Sequence, residues 1–85
     1  MHRYLVIDIN AQDRSMAFVD RARNYHVARW TVDAPVVGDD LDGPPPHLGS
    51  ALLEDRHGQV FPVIFDLVDG VQGDAFDRLH ACLTP

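Results

Sequence analysis

"LGSALLEDRHGQVFPVIFDLV", residues 48–68, decides the fold, because its first half supports two readings that lead to different architectures. As a helix, 48–57 sets Leu48, Ala51 and Leu52 on one face. Arg56 and His57 then fall in the last turn and Gly58 just past it, a good set of C-terminal signals. As a strand, 50–55 pairs with 59–65 through a turn at Arg56, His57 and Gly58. Gly49 counts against the helix, and Pro62 counts against the hairpin by removing a ladder donor. The helix is the reading taken, with 48–68 as a β-hairpin the alternative.

Working outward, "RYLVIDI" (3–9) is apolar nearly throughout, as expected of a central strand covered on both faces. Asp13 offers an N-cap for a helix over 14–25, with Phe18, Val19, Ala22 and Tyr25 on one arc and Asp20, Arg21, Arg23 and Asn24 opposite. "HVARWTV" (26–32) alternates as a second strand. Residues 33–47, rich in Pro, Gly and Asp, predict a long flexible connection. After the strand "FPVIFDLV" and a turn at Asp69-Gly70, Asp74 caps a last helix. Asp77 sits in its first turn, and Phe76, Leu79 and Leu83 form its buried stripe. The order is β-α-β-α-β-β-α, an α/β domain spanning 1–85. The hairpin alternative makes it α+β.

Composition narrows the function. Seven basic residues against thirteen acidic ones leave a net charge of −6, which disfavours nucleic acid as a partner and suits a basic protein. Cys82 is the only cysteine, so an intrachain disulfide, a zinc site with two thiolates and a two-cysteine redox centre are excluded. No apolar run approaches the ~18–20 residues that cross a bilayer, and the apolar part of "MHRYLVIDIN" is too short for a secretory signal. The expected location is cytoplasmic, with no membrane contact.

The element order resembles the glutaredoxin branch of the thioredoxin fold. "LLEDRHGQVFPVIF" is similar to that family's second helix, its glycine-ended turn and the Thr-Val-Pro stretch opening the third strand. "VQGDAFDRLHACL" is similar to its Gly-Gly step and last helix, and the spacing from Pro62 to Gly73 equals the family's. The resemblance implies a cis Pro62 at the start of a strand and a backbone at Phe61 free to pair with an extended ligand. The chain departs from the family where Cys-x-x-Cys should stand, since "DRSM" (Asp13, Arg14, Ser15, Met16) holds neither cysteine. Gln72 replaces the first glycine of the step, and Asn10 stands where the family has a lysine.

Each candidate site has a plainer reading beside it. Ser15 has no adjacent base to activate it, so Asp13 as a cap and Ser15 as a first-turn residue is the simpler account. Cys82 lies beside the Leu79–Leu83 stripe as a structural cysteine. The five histidines form no His-Glu-x-x-His motif. "GDDLDG" (38–43) fails as a calcium loop, because its twelfth position is Gly49. No catalytic residue and no metal are therefore assigned.

Three functions follow. The leading one is a redox-inactive thioredoxin-fold module that binds or regulates another protein through a groove between Asp13–Met16, Phe61-Pro62 and Gly73-Asp74. The second is a protein holding glutathione or a similar small thiol through Phe61, Gly73 and Asp74. The third is an acidic antagonist of a basic protein.

Overall fold

A computed structural model describes residues 2–80, and the strand reading of 48–57 is the one it adopts. Six strands, β1 (His2–Asn10), β2 (Ser15–Val19), β3 (Tyr25–Trp30), β4 (Asp40–Gly43), β5 (Gly49–Glu54) and β6 (Val60–Gly70), precede one helix, α1 (Gln72–Leu79). They form two antiparallel meanders, β1-β2-β3 and β4-β5-β6. Pairing of β3 with β6 and of β1 with β4 closes them into a barrel. The chain is mostly β. It is neither the α/β sandwich nor the α+β alternative, and a closed antiparallel barrel overturns the resemblance to the thioredoxin and glutaredoxin fold.

Local chemistry explains both lost helices. Gly49 has a φ of +104°, far from helical values, and from it β5 runs antiparallel to β6 with Leu53 opposite Phe61. Around the expected first helix, Arg14 (φ 55°) and Arg23 (φ 64°) occupy the left-handed region and end tight turns on either side of β2. Between them Asp20 accepts the N–H groups of Ala22 and Asn24, an Asx-type turn that makes β2 and β3 a hairpin. The helical arc of Phe18, Val19, Ala22 and Tyr25 is thus an accident of a strand followed by a turn.

The barrel has an inside and a covered outside. Tyr4, Val6, Met16, Phe18, Ala28, Leu41, Leu53, Phe61, Val63 and Phe65 fill the interior. Ala17 and Val27 point outward beneath α1, whose Ala75 and Leu79 bury against them, with Ile7, Tyr25, Leu67 and Phe76 around the edge. This makes "SMAFV" apolar on both faces. A bulge between Val6 and Asp8 explains the nearly continuous apolar run of β1: Tyr4, Val6 and Ile9 join the inner cluster, while Ile7 turns to the helix side.

Three further expectations are corrected. The acidic 38–43 segment of the supposed loop supplies β4, anchored by the fully buried Leu41. The helix N-cap is Val71, with Asp74 in the first turn, while Leu83 and Cys82 lie outside the described residues. Pro62 is trans and sits inside β6 opposite Leu52. It is tolerated because β3 has ended beside it: its carbonyl takes the Thr31 N–H, and the N–H it lacks would face the same way. Among the described residues no helix is long and apolar enough to cross a membrane.

Phe18 is fully buried, with its ring 5.7 Å from Tyr4 and 6.0 Å from Phe65. Phe18→Ala is expected to cost about 3–5 kcal/mol in urea unfolding. Val36→Ala, at an exposed position, should stay within about 0.5 kcal/mol.

Candidate functional site

The residues first singled out do not converge. Met16 and Phe61 meet inside the barrel core. Ser15 is buried near the end of β1, its hydroxyl 3.3 Å from the Asp13 carboxylate. Arg14 is exposed in the turn, where its carbonyl accepts the Trp30 N–H. Gly73 and Asp74 are exposed on α1, outside the barrel wall. The Phe61 backbone is paired with Leu53 in the sheet, so no free edge is left there for an extended ligand.

Two other places carry polar or apolar organisation, and the first is a network at one end of the barrel. His26 is fully buried, and its Nδ1 accepts the backbone N–H of Asp69 at 3.1 Å. Its proton therefore sits on Nε2, which donates to the Asp20 carboxylate at 2.9 Å. Burial pushes the Asp20 carboxyl up. The hydrogen bonds from His26, Asn24 and Ala22 outweigh that push and hold it below its ordinary value of 3.8. A mixed-charge concavity of about 750 Å³ lies over Asp20 and Asp69, with Arg3, Arg21 and Asn24 on its walls.

Asp20, His26 and Asp69 bring three potential ligand atoms within 4.8 Å of one another. They do not suit a metal. A cation on Nε2 would require the ring proton on Nδ1, where it would point at the Asp69 N–H. The cluster is a structural tie between the β2–β3 turn and the end of β6.

The second place is the seam between β4 and β5. These strands share a single register pair, Asp42 with Glu54, whereas β5 and β6 pair along six positions. The seam is closed by packing. Gly43 lies so close beneath Leu53 that a Cβ there would collide with the leucine side chain, and Tyr4 flanks the same spot. A segment of three prolines, 44–46, then crosses from β4 to β5. The Tyr4 hydroxyl donates to the Pro44 carbonyl at 2.7 Å and pins it. Burial, with the Asp20 and Asp69 carboxylates, pushes the Tyr4 pKa up to about 12, so this donor persists into strong alkali.

Outside the seam lies a groove of about 500 Å³ with Pro44, Pro45, Leu52 and Val60 as its apolar walls. Asp42 and Glu54 form its acidic rim. Leu52 is 63% exposed and Val60 47%, so water meets apolar side chains along the groove. Leu48 and Leu52 were visible in the sequence as one apolar set. Only the strand register shows that they face solvent, because it gives the inward positions of β5 and β6 to Leu53, Phe61 and Val63.

Replacing His26 by Ala leaves the half-buried Asp20 carboxylate without its side-chain donor, and a loss of about 1–3 kcal/mol in unfolding free energy is expected. Because the folded pKa of Asp20 is depressed, its contribution is present above pH 3.8 and lost as pH falls through the lower folded value. In Asp20→Asn the acid limb of the stability curve should flatten in that window, measured by urea unfolding at stepped pH.

Comparison of the chain with protein-family models, with curated proteins and with solved structures finds no match.

Proposed function

We propose that this chain is a binding module that holds a basic segment of another protein in the groove at the β4–β5 seam. The observation that carries this reading is the exposed pair Leu52 and Val60 beside Pro44 and Pro45, rimmed by Asp42 and Glu54. Burying one such leucine or valine side chain is worth about 1.5–3 kcal/mol, enough for tenfold or more in affinity. The net charge of −6 favours encounter with a cationic partner and repels anionic ones.

The partner's chemistry follows from the groove. Its floor offers contacts for alternate apolar side chains, and its rim offers carboxylates to arginine or lysine. An extended segment alternating apolar and basic residues matches both. Asp42 is already engaged by Arg3 at 3.3 Å, so Glu54 is the freer rim charge. The small-thiol alternative drew its contacts from the thioredoxin-type arrangement of Phe61, Gly73 and Asp74. The barrel holds Phe61 in the sheet and the other two outside its wall.

The test is a titration of isotope-labelled protein with a synthetic peptide of alternating arginine and leucine, followed by amide NMR. Shifts should concentrate at Gly43, Leu52, Glu54 and Val60. Leu52→Ser should weaken binding about tenfold or more, and Glu54→Lys should weaken it further as salt is lowered, when the repulsion it introduces is least screened. Equal binding of the same peptide with glutamate in place of arginine, or shifts centred away from the seam, would overturn the proposal.

A further inference from the structure

Pro44 and Pro45 on the wall of that groove begin a strap, residues 44–48, that has two fastenings of different chemistry. Tyr4 holds one end through the Pro44 carbonyl. His47 holds the other, and both of its ring nitrogens face acceptors: Nδ1 lies 3.0 Å from the Pro45 carbonyl and Nε2 lies 3.0 Å from the Ser50 carbonyl of β5. A neutral imidazole has one N–H and one lone pair. It can satisfy only one of these carbonyls, and the other then faces a lone pair at hydrogen-bonding distance. The imidazolium has two N–H groups and satisfies both.

We propose that His47 is a proton-operated latch on the binding groove: protonated, it clasps the strap to β5 through both carbonyls, and on losing its proton it lets the strap lift. The inference rests on the proposed function for its consequence in binding, but the latch itself depends only on the strap. The surroundings leave the proton in control. The His47 ring packs 6.4 Å from Phe65 of β6, whose other aromatic neighbours include the titratable rings of Tyr4 on β1 and His26 on β3. Among the described residues no carboxylate or guanidinium pairs with His47, so its charge answers to the two carbonyls.

Those carbonyls, Pro45 first and then Ser50, raise the pKa of His47 above its ordinary value of 6.5. A raised folded pKa means that the clasp contributes fully below pH 6.5 and is lost as pH rises through the higher folded value. The latch therefore closes in mildly acidic solution and opens toward the alkaline side, while the Tyr4 fastening, with its pKa near 12, holds throughout.

The experiment is an NMR titration of the whole chain from about pH 5 to 9 across the ordinary histidine range. It follows the His47 ring protons. His47 should half-titrate above its ordinary value of 6.5. Amide protection over 48–51 should fall about fivefold with the same midpoint, the factor that one ordinary hydrogen bond makes in a local opening equilibrium. In His47→Gln that protection should no longer depend on pH. A His47 midpoint at or below 6.5, or amides of 48–51 that ignore it, would overturn the latch. The arginine–leucine peptide is then titrated at both ends of the range. Affinity that changes with the His47 midpoint in the wild type but not in His47→Gln supports regulation of the groove. Absence of peptide binding at every pH counts against the groove as a binding site and leaves the latch to be judged by the ring and amide data.

Discussion

Six strands closed on themselves leave an interior that only a few large side chains can fill, and the ring of Phe65 is where that filling converges. It lies 5.6 Å from Tyr4, 6.0 Å from Phe18 and 6.4 Å from both His26 and His47. These neighbours come from β1, β2, β3 and the strap before β5, so one side chain of β6 joins both meanders. Tilted and edge-on ring contacts of this kind add to area burial and fix orientation. The polar tips of the cluster point to the barrel's ends: Tyr4 reaches Pro44, and His26 reaches Asp20 and Asp69. Among the described residues no buried side-chain polar atom lacks a hydrogen-bond partner. Aromatic bulk thus brings its polar atoms to the rims without a desolvation penalty inside.

The same constraint explains why the seam between β4 and β5 is where an apolar groove opens to solvent. Backbone pairing there is reduced to one register position, and closure depends on Leu53 resting over Gly43 against Tyr4. A glycine at that point lets the two strands approach without a ladder, and the proline strap covers the gap without offering further N–H groups. Proline cannot donate to a neighbouring strand, so the opening is guarded against edge-to-edge pairing while its apolar rings stay available for contact. A seam closed by side chains and a strap can adjust locally. The longer β3–β6 and β5–β6 ladders hold the core.

Much of the strand content was legible in the sequence. Residues 3–9, 26–32 and 61–68 read as strands and correspond to β1, β3 and β6, and the last helix is present, with Asp74, read as its cap, in the first turn instead of Asp77. The misreadings share a physical cause. A strand covered on both faces shows no alternation, so "SMAFV" and the turn after it could match a helical arc by chance. Gly49 was noted as unfavourable to a helix, and its positive φ shows that this signal outranked the capping pattern at Arg56, His57 and Gly58. Pro62 misled in the opposite direction. Its cost depends on whether the neighbouring strand extends far enough to need its N–H, which no local stretch of sequence reveals. The seam was hidden for a similar reason: which side of β5 faces water is set by register with β6, and a shift of one residue would exchange Leu52 for Leu53.

Two histidines show how the same side chain takes opposite roles from its partners alone. His26 meets one donor and one acceptor, the Asp69 N–H and the Asp20 carboxylate, and that pair selects a single neutral tautomer and joins two segments of backbone. His47 meets two acceptors, the carbonyls of Pro45 and Ser50, and that pair favours the cation. Both rings lie against Phe65, so the aromatic contact does not distinguish them. His26 is buried in a site satisfied without any change of charge, which suits a permanent tie. His47 is exposed, where a proton can come and go without moving a charge through the core, which suits a device that responds to pH. The division follows from the carbonyls of Pro45 and Ser50 both facing His47, and it places the responsive fastening on the strap that continues from the groove wall, away from the interior that holds the barrel together.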